Sequence, residues 1–338
     1  MTLLKGTLLR EGRYQIQELL ARGGFGFIYL ALDRQRGQQV VLKELLPALA
    51  TDTQVQRRFV REGRTMQRLH NPRIARVEAT FHEQGNDYMI VEYLSGGSLA
   101  DRLERERRLP LGEAALITVA LCDALTYLHQ RGIVHCDLNP SNVLFDAQGT
   151  PKLIDLGIAH VPDTLVHRSW HTEHDFSLGT VSYMAPEQLA GKRDDPRLDL
   201  YALAALCYNM VSGRHYLRFD MAGTPLAQAE NIQRVQSEMP EPLAHVPPEA
   251  NEVLLRALAK DPEARYPSVA TLRHALVQAL LPHLPSEQGI RLVAPLPAID
   301  EEDEVGAREE WPTWVLAVLL AINATAILLL AWLILGTL

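Results

Sequence analysis

The chain has 338 residues, 47% of them hydrophobic and 22% charged, and a formal net charge of −8. These proportions provide for a sizeable core and exclude a wholly disordered, collagen-like or disulfide-framework chain. The acidic balance excludes a nucleic-acid binder working by bulk positive charge, and the length predicts about two domains or one large two-lobed domain with appendages.

The N-terminal thirteen residues lack a long apolar core after a basic start, so no secretory signal is expected. Residues 14–20 read as a strand that runs into the glycine cluster Arg22-Gly23-Gly24-Phe25-Gly26. Strands follow at 27–32 and 39–45, separated by a turn at 33–37. Residues 54–69 read as an amphipathic helix carrying Phe59, Met66 and Leu69 on one repeat, ended by Asn71-Pro72. Two more strands are expected at 74–82 and 87–93, joined by Gln84-Gly85-Asn86. After Ser95-Gly96-Gly97 the pattern is helical, at 98–107, 111–131, 199–212, 250–258 and 269–281. Strands first and helices later predict an α+β chain of two lobes rather than alternating βαβ units. No solenoid-type repeat is present.

The C-terminal part differs from the rest. Pro282, Pro285, Pro295 and Pro297 mark a linker. Residues 300–310 hold seven acids and one base, and no charged residue follows them. Residues 314–335 are 22 without a charge, with Trp311, Trp314 and Trp332 near the ends and Asn323 within. A helix of that length spans about 33 Å, enough for a hydrocarbon core of about 30 Å, so a transmembrane helix is expected with no folded domain beyond it.

Three cysteines (Cys122, Cys136, Cys207) fit a reducing compartment rather than a disulfide framework. Lysine occurs at only five positions (5, 43, 152, 192 and 260), which singles out Lys43 on its strand. Glycines let a turn bring its N–H groups to phosphate oxygens, an ammonium can reach the same phosphates, and a helix carboxylate such as Glu62 can hold that ammonium in place. Taken alone, each of these residues has a plainer reading as a turn or a surface charge. The most informative segment is Ile133-Val134-His135-Cys136-Asp137-Leu138-Asn139-Pro140-Ser141-Asn142-Val143-Leu144. Lys152-Leu153-Ile154-Asp155-Leu156-Gly157 and Met184-Ala185-Pro186-Glu187 follow it in order.

With these motifs the sequence resembles the eukaryotic-like protein kinases, specifically the serine/threonine kinases of bacteria, over about residues 10–281. The resemblance implies a small β-rich N-lobe (10–94) and a larger helical C-lobe (95–281), followed by a linker (282–310) and the anchor (314–335). It implies ATP and Mg²⁺, or Mn²⁺, as cofactors. Gly23, Gly24 and Gly26, with Phe25 at the tip and Ala21 at the place of the first loop glycine, resemble the loop over the ATP phosphates. Lys43 resembles the lysine on the α/β-phosphates and Glu62 its partner. Asp137 resembles the aspartate that takes the substrate hydroxyl's proton, and Asn142 and Asp155 the metal ligands. Val91 would border the adenine pocket, Glu92, Tyr93 and Leu94 would form the hinge, and Ile28 and Leu144 would cover the ring. Met66, Leu156 and His135 would stack as a column tied to Asp199. Thr180 resembles the threonine that bonds the catalytic aspartate, and Glu187 with Arg265 a buried ion pair.

Four positions depart from the family pattern. Besides Ala21, Leu42 stands for a small residue above adenine. Cys136 replaces the arginine that reads an activation-loop phosphate, and Asn139 replaces the lysine that contacts the γ-phosphate. Thr164, Ser169, Thr172, Ser177 and Thr180 are candidate autophosphorylation sites. The nearby His160, His167, His171 and His174 read as a solvated loop rather than a metal site. The expectation is a single-pass membrane kinase with a cytoplasmic catalytic domain. Its partners would be proteins carrying Ser/Thr and the lipid bilayer through 314–335, with no nucleic acid; dimerisation is left open. The alternatives are an ATP-binding pseudokinase scaffold and, less favoured by Gly179-Thr180 with Ala185-Pro186-Glu187, a small-molecule kinase.

Overall fold

The computed structural model describes residues 2–24, 26–46, 49, 52–156, 181–222 and 224–285. Phe25, Thr180, the other hydroxyls and histidines of the 157–180 segment, the acidic run and the expected anchor lie outside the described residues.

The N-lobe is an antiparallel sheet of β1 (Leu8–Leu9), β2 (Tyr14–Arg22), β3 (Gly26–Asp33), β4 (Gln38–Leu45), β5 (Val77–Glu83) and β6 (Asn86–Glu92), in the order β1-β2-β3-β4-β6-β5. Period-2 alternation divides its residues between two cores. Val40 and Leu42 of β4, with Tyr88 and Ile90 of β6, join Tyr14, Ile16 and Tyr29 in an outer cluster. Val41, Met89 and Val91 face the other way, toward the large interlobe core. This corrects the expectation for Leu42. It lies in the outer cluster, and the residue sharing the face of Lys43 is Val41, two positions earlier on the strand. Close approach leaves no room for a side chain at several glycines, Gly26 and Gly63 the tightest. A Cβ at Gly26 would run into the Glu44 carbonyl, and one at Gly63 into the Thr80 side chain.

Helix α1 (Thr53–Gln67) is capped by Asp52, whose carboxylate accepts from Gln54 N at 2.8 Å, and it buries Gly63 and Met66. In the C-lobe, α2 (Leu99–Glu106) starts on a reciprocal capping box between Ser98 and Asp101. Helix α3 (Leu111–His129) is apolar on nearly every side and is the core of the lobe. Among the described residues it is the one helix long and apolar enough to cross a membrane, and it is mostly buried inside the protein. The ribbon β7 (Val143–Phe145)–β8 (Pro151–Leu153) follows. Then come α4 (Pro186–Leu189), α5 (Arg197–Ser212), α6 (Pro225–Ser237), α7 (Pro248–Ala257) and α8 (Val269–Leu280). Helix α5 is almost wholly buried and stops at Gly213, which takes the left-handed conformation (φ 72°). The two-lobed α+β architecture is as expected. The ribbon and α6 are elements the hydropathy pattern did not reveal.

Candidate active site

The site gathers around the seam between the lobes. The turn after β2 is closed by Gly23 N donating to Gly26 O at 2.9 Å, with Gly23 and Gly24 exposed. Ala21 and Lys43 both pair with the β3 residue Ile28, so the turn, Ile28 and Lys43 lie at one end of adjacent strands. Met89 pairs with Lys43 from the opposite side, two residues before Val91. Val91 and Leu94 are buried, whereas Ile28 and Leu144 are half-buried.

The Lys43 ammonium is ion-paired with the Asp155 carboxylate. Among the described contacts there is no hydrogen bond or ion pair between Lys43 and Glu62, the partner expected from sequence. Glu62 is nevertheless close enough to act on Lys43 electrostatically. Burial lowers the lysine's proton affinity and Glu62 opposes this, while burial raises the Glu62 carboxyl and Lys43 opposes that.

The segment from His135 to Asn142 is fixed by Asp199. Its buried carboxylate accepts from His135 N at 2.8 Å and Cys136 N at 2.9 Å, and lies 2.7 Å from His129 Nε2. Cys136 takes a left-handed backbone (φ 62°), which costs a non-glycine residue about 1–2 kcal/mol. It is held there by Gln188 Nε2, which donates to its carbonyl at 2.6 Å, and by its own thiol, 3.3 Å from Arg193 O. Met66, Leu156, His135 and Asp199 are all buried.

This frame presents Asp137. Asn142 Nδ2 donates to Asp137 Oδ2 at 2.8 Å and Asn139 Nδ2 to Oδ1 at 3.1 Å, so each carboxylate oxygen accepts one amide. Burial lifts the Asp137 carboxyl above the usual aspartate range, opposed by His135, the two amides and Arg193. Ile154 N donates to Asn142 O at 3.0 Å, which sets Asp155 beside Asn142. Asp155 also has a left-handed backbone (φ 53°). With its amide nitrogen committed to Asp137, Asn142 has its side-chain oxygen left for a cation. Together with the Asp155 carboxylate this is an all-oxygen donor pair, which fits a hard ion completing its shell with phosphate and water. No cluster of three or more His, Cys, Asp or Glu suited to a metal occurs among the described residues.

A family model for the protein kinase domain matches residues 14–277. The chain belongs to the protein kinase family. Serine/threonine-protein kinase Pkn1 of Myxococcus xanthus is 35% identical over 286 residues, covering 82% of this chain and 39% of that protein. A probable serine/threonine-protein kinase of Streptomyces coelicolor is 33% identical over 267 residues, covering 78% of this chain and 39% of its own length. The chain thus spans about two fifths of the length of these curated relatives. The crystal structure of the kinase domain of Mycobacterium tuberculosis PknI, as a double mutant, superposes with a TM-score of 0.62 at 28% identity. It covers 86% of this chain and all of that one.

Four kinase-domain residues that hold the site in place carried no expected role: His129, Gln188, Arg193 and Lys152. Lys152 Nζ donates to both Glu92 oxygens at 2.9 Å, and Glu92 Oε1 also accepts from Arg76 N at 2.8 Å. The scarcity of lysine was the one available signal for Lys152. The expected ion pair of Glu187 with Arg265 is present, at 2.6 and 2.8 Å.

Proposed function

We propose that this chain transfers the γ-phosphoryl group of ATP to Ser and Thr hydroxyls of proteins, its own included. The observation that carries this reading is the Asp137 carboxylate gripped by two amides beside the oxygen pair of Asn142 and Asp155. Asp137 orients the incoming hydroxyl and takes its proton as that oxygen bonds to the γ-phosphorus and the bond to the ADP oxygen breaks. Lys43 exchanges Asp155 for the α/β-phosphates, with Glu62 as its electrostatic support. The turn of Gly23, Gly24, Phe25 and Gly26 covers the phosphates with backbone N–H groups. The backbone of Glu92 and Leu94 receives adenine, and Leu94 N–H makes no hydrogen bond among the described residues. Ile28, Val91 and Leu144 supply its apolar walls, and Thr180 steadies Asp137. Asn142 and Asp155 would hold Mg²⁺, or Mn²⁺ in its place, which when bound supplies charge neutralisation on the phosphates.

Cys136 puts no arginine at the position directly before Asp137, so we assign this kinase no activation through an activation-loop phosphate read from that position. We further propose a catalytic domain at 10–281, a linker at 282–310 and a transmembrane anchor at 314–335 that keeps the domain on the cytoplasmic side, where ATP is. The apolar length and the acidic run before it support the anchor. Removing 312–338 is expected to shift the protein from the membrane to the soluble fraction; soluble full-length protein would end that reading.

The test of function is Mg²⁺-dependent phosphorylation of the chain itself and of a general protein substrate. Loss of transfer in Asp137→Asn and Lys43→Met is expected, and unchanged activity in both would refute the site. The competing reading, an ATP-binding scaffold, draws on Cys136 and Asn139 in place of an arginine and a lysine. It requires ATP to stabilise the wild type thermally with no transfer at all.

A further inference from the structure

Asn139 stands where a lysine would bring charge to the transferred phosphate, and an amide brings none. Its two ends are both occupied. The oxygen accepts from Ser141 N at 2.9 Å and so caps the 3-10 turn Pro140–Asn142. The nitrogen donates to Asp137 Oδ1 and to Asp137 O, both at 3.1 Å. The cap fixes the amide's orientation, and the amide then fixes the carboxylate from the side opposite Asn142. We propose that Asn139 is a positioning residue that acts through Asp137: it locks the carboxylate's rotation so that the face turned to the substrate hydroxyl is held before substrate arrives. This rests on the kinase reading above and gives Asn139 a role in it that needs no contact with phosphate. Two amide grips on one carboxylate leave it little torsional freedom, and misplacing a reacting group by about 1 Å costs about 100-fold in rate.

Two roles of Asn139, cap and clamp, are separable by Asn139→Asp. The carboxylate keeps an acceptor for Ser141 N but sets a like charge against Asp137 Oδ1 in place of a donor. In full-length protein, Asn139→Asp is expected to lower kcat about 100-fold, with KM for ATP and the melting temperature near wild type. Asn139→Lys restores a donor without the cap, and its kcat is expected to exceed that of Asn139→Asp about tenfold or more. Wild-type kcat in Asn139→Asp would overturn the proposal, since only the cap would then matter. A second readout does not depend on turnover. The side-chain amide proton of Asn139, identified by its loss in Asn139→Asp, is expected downfield of a free asparagine amide and displaced in Asp137→Ala. An amide signal indifferent to Asp137→Ala would overturn the clamp even in a chain that transfers no phosphate. A wild type that transfers no phosphate, with the amide displaced in Asp137→Ala, would instead fail the kinase reading and leave the clamp standing.

Discussion

Lys152 grips both carboxylate oxygens of Glu92, at 2.9 Å each, and so ties β8 to the segment between the lobes. Strand β8 leads within two residues to Asp155, and Glu92 ends β6 two residues before Leu94. The ion pair thus spans from the proposed adenine-binding backbone to the strand that leads to the proposed cation ligand, beside the backbone bonds of Leu153 N to Arg73 O and Ala75 N to Leu153 O, both 2.8 Å. The Lys152 side chain is 15% exposed and that of Glu92 25%, enough burial for the bond to outlast salt screening in part. Lys152→Ala should weaken ATP binding about fivefold, equivalent to ~1 kcal/mol, with a smaller change in kcat. Isothermal titration with ATP and Mg²⁺ checks this, and equal affinity in the variant would show that the backbone bonds suffice.

Arg265 forks onto Glu187 in a buried pair, and its remaining donors reach Ala259 O at 2.8 Å, Arg197 O at 3.0 Å and Lys260 O at 3.2 Å. Such a guanidinium links α4, the start of α5 and the loop after α7. Removing one partner leaves an uncompensated charge inside, which typically costs about 3–5 kcal/mol. Arg265→Ala and Glu187→Gln should each lower the denaturant midpoint by a corresponding amount. The double variant should lose less than the sum, as a coupled pair requires.

Asp33 gives the stability a defined pH dependence. It is fully buried and accepts from Arg13 Nη2 at 2.7 Å and from Gln35 N at 3.0 Å. Arg13 chiefly, against burial, holds its carboxyl below the ordinary aspartate value. A carboxyl depressed in the folded state stabilises above its unfolded pKa, near 4, and loses that contribution as pH falls through the folded value. Asp33→Asn should therefore cost about 2 kcal/mol near neutrality, the scale of a charge-assisted hydrogen bond. The difference from wild type should shrink as the solution is acidified below pH ~4. Urea melts at several pH values test this; a pH-independent difference would mean that packing, not charge, is lost.

How far the sequence revealed this molecule depended on the range of the interaction. Helix α1 was legible to within two residues at either end because the apolar repeat of Phe59, Met66 and Leu69 and the stop at Asn71-Pro72 are local signals. The proposed site residues could be named in advance because their order resembles the family's motifs, and the structure brings Lys43 to Asp155 and Asn142 to Asp137. The Lys43 partner was not legible, because Asp155 lies 112 positions away and competes with Glu62 for one ammonium. Leu42 was placed above adenine, but strand alternation turns it to the opposite core. The amide of Asn139 on Asp137 depends on a side-chain rotation that no spacing encodes. Helix α6 had an N-terminal signal in Thr224-Pro225, and its mixed polar face hid the rest.

The three cysteines should be chemically silent in the folded protein. All are buried and free. Burial pushes the Cys136 thiol up to about 12 and the Cys207 thiol to about 11, and raises Cys122 as well. The attacking species in alkylation and oxidation is the thiolate, and neutral pH leaves almost none of it. Cys136 is the informative case, since it adjoins Asp137 and a redox switch there would be attractive. Its sulfur instead lies against Arg193 O, beside the carboxylate of Asp199, which opposes ionisation further. Native protein incubated with iodoacetamide at pH 7.5 should show no adduct by mass spectrometry within the time that a small-molecule thiol is consumed. Denatured protein should show all three. Rapid modification of Cys136 alone would mean that this segment opens well below the global unfolding free energy, and Asp137 would have to open with it.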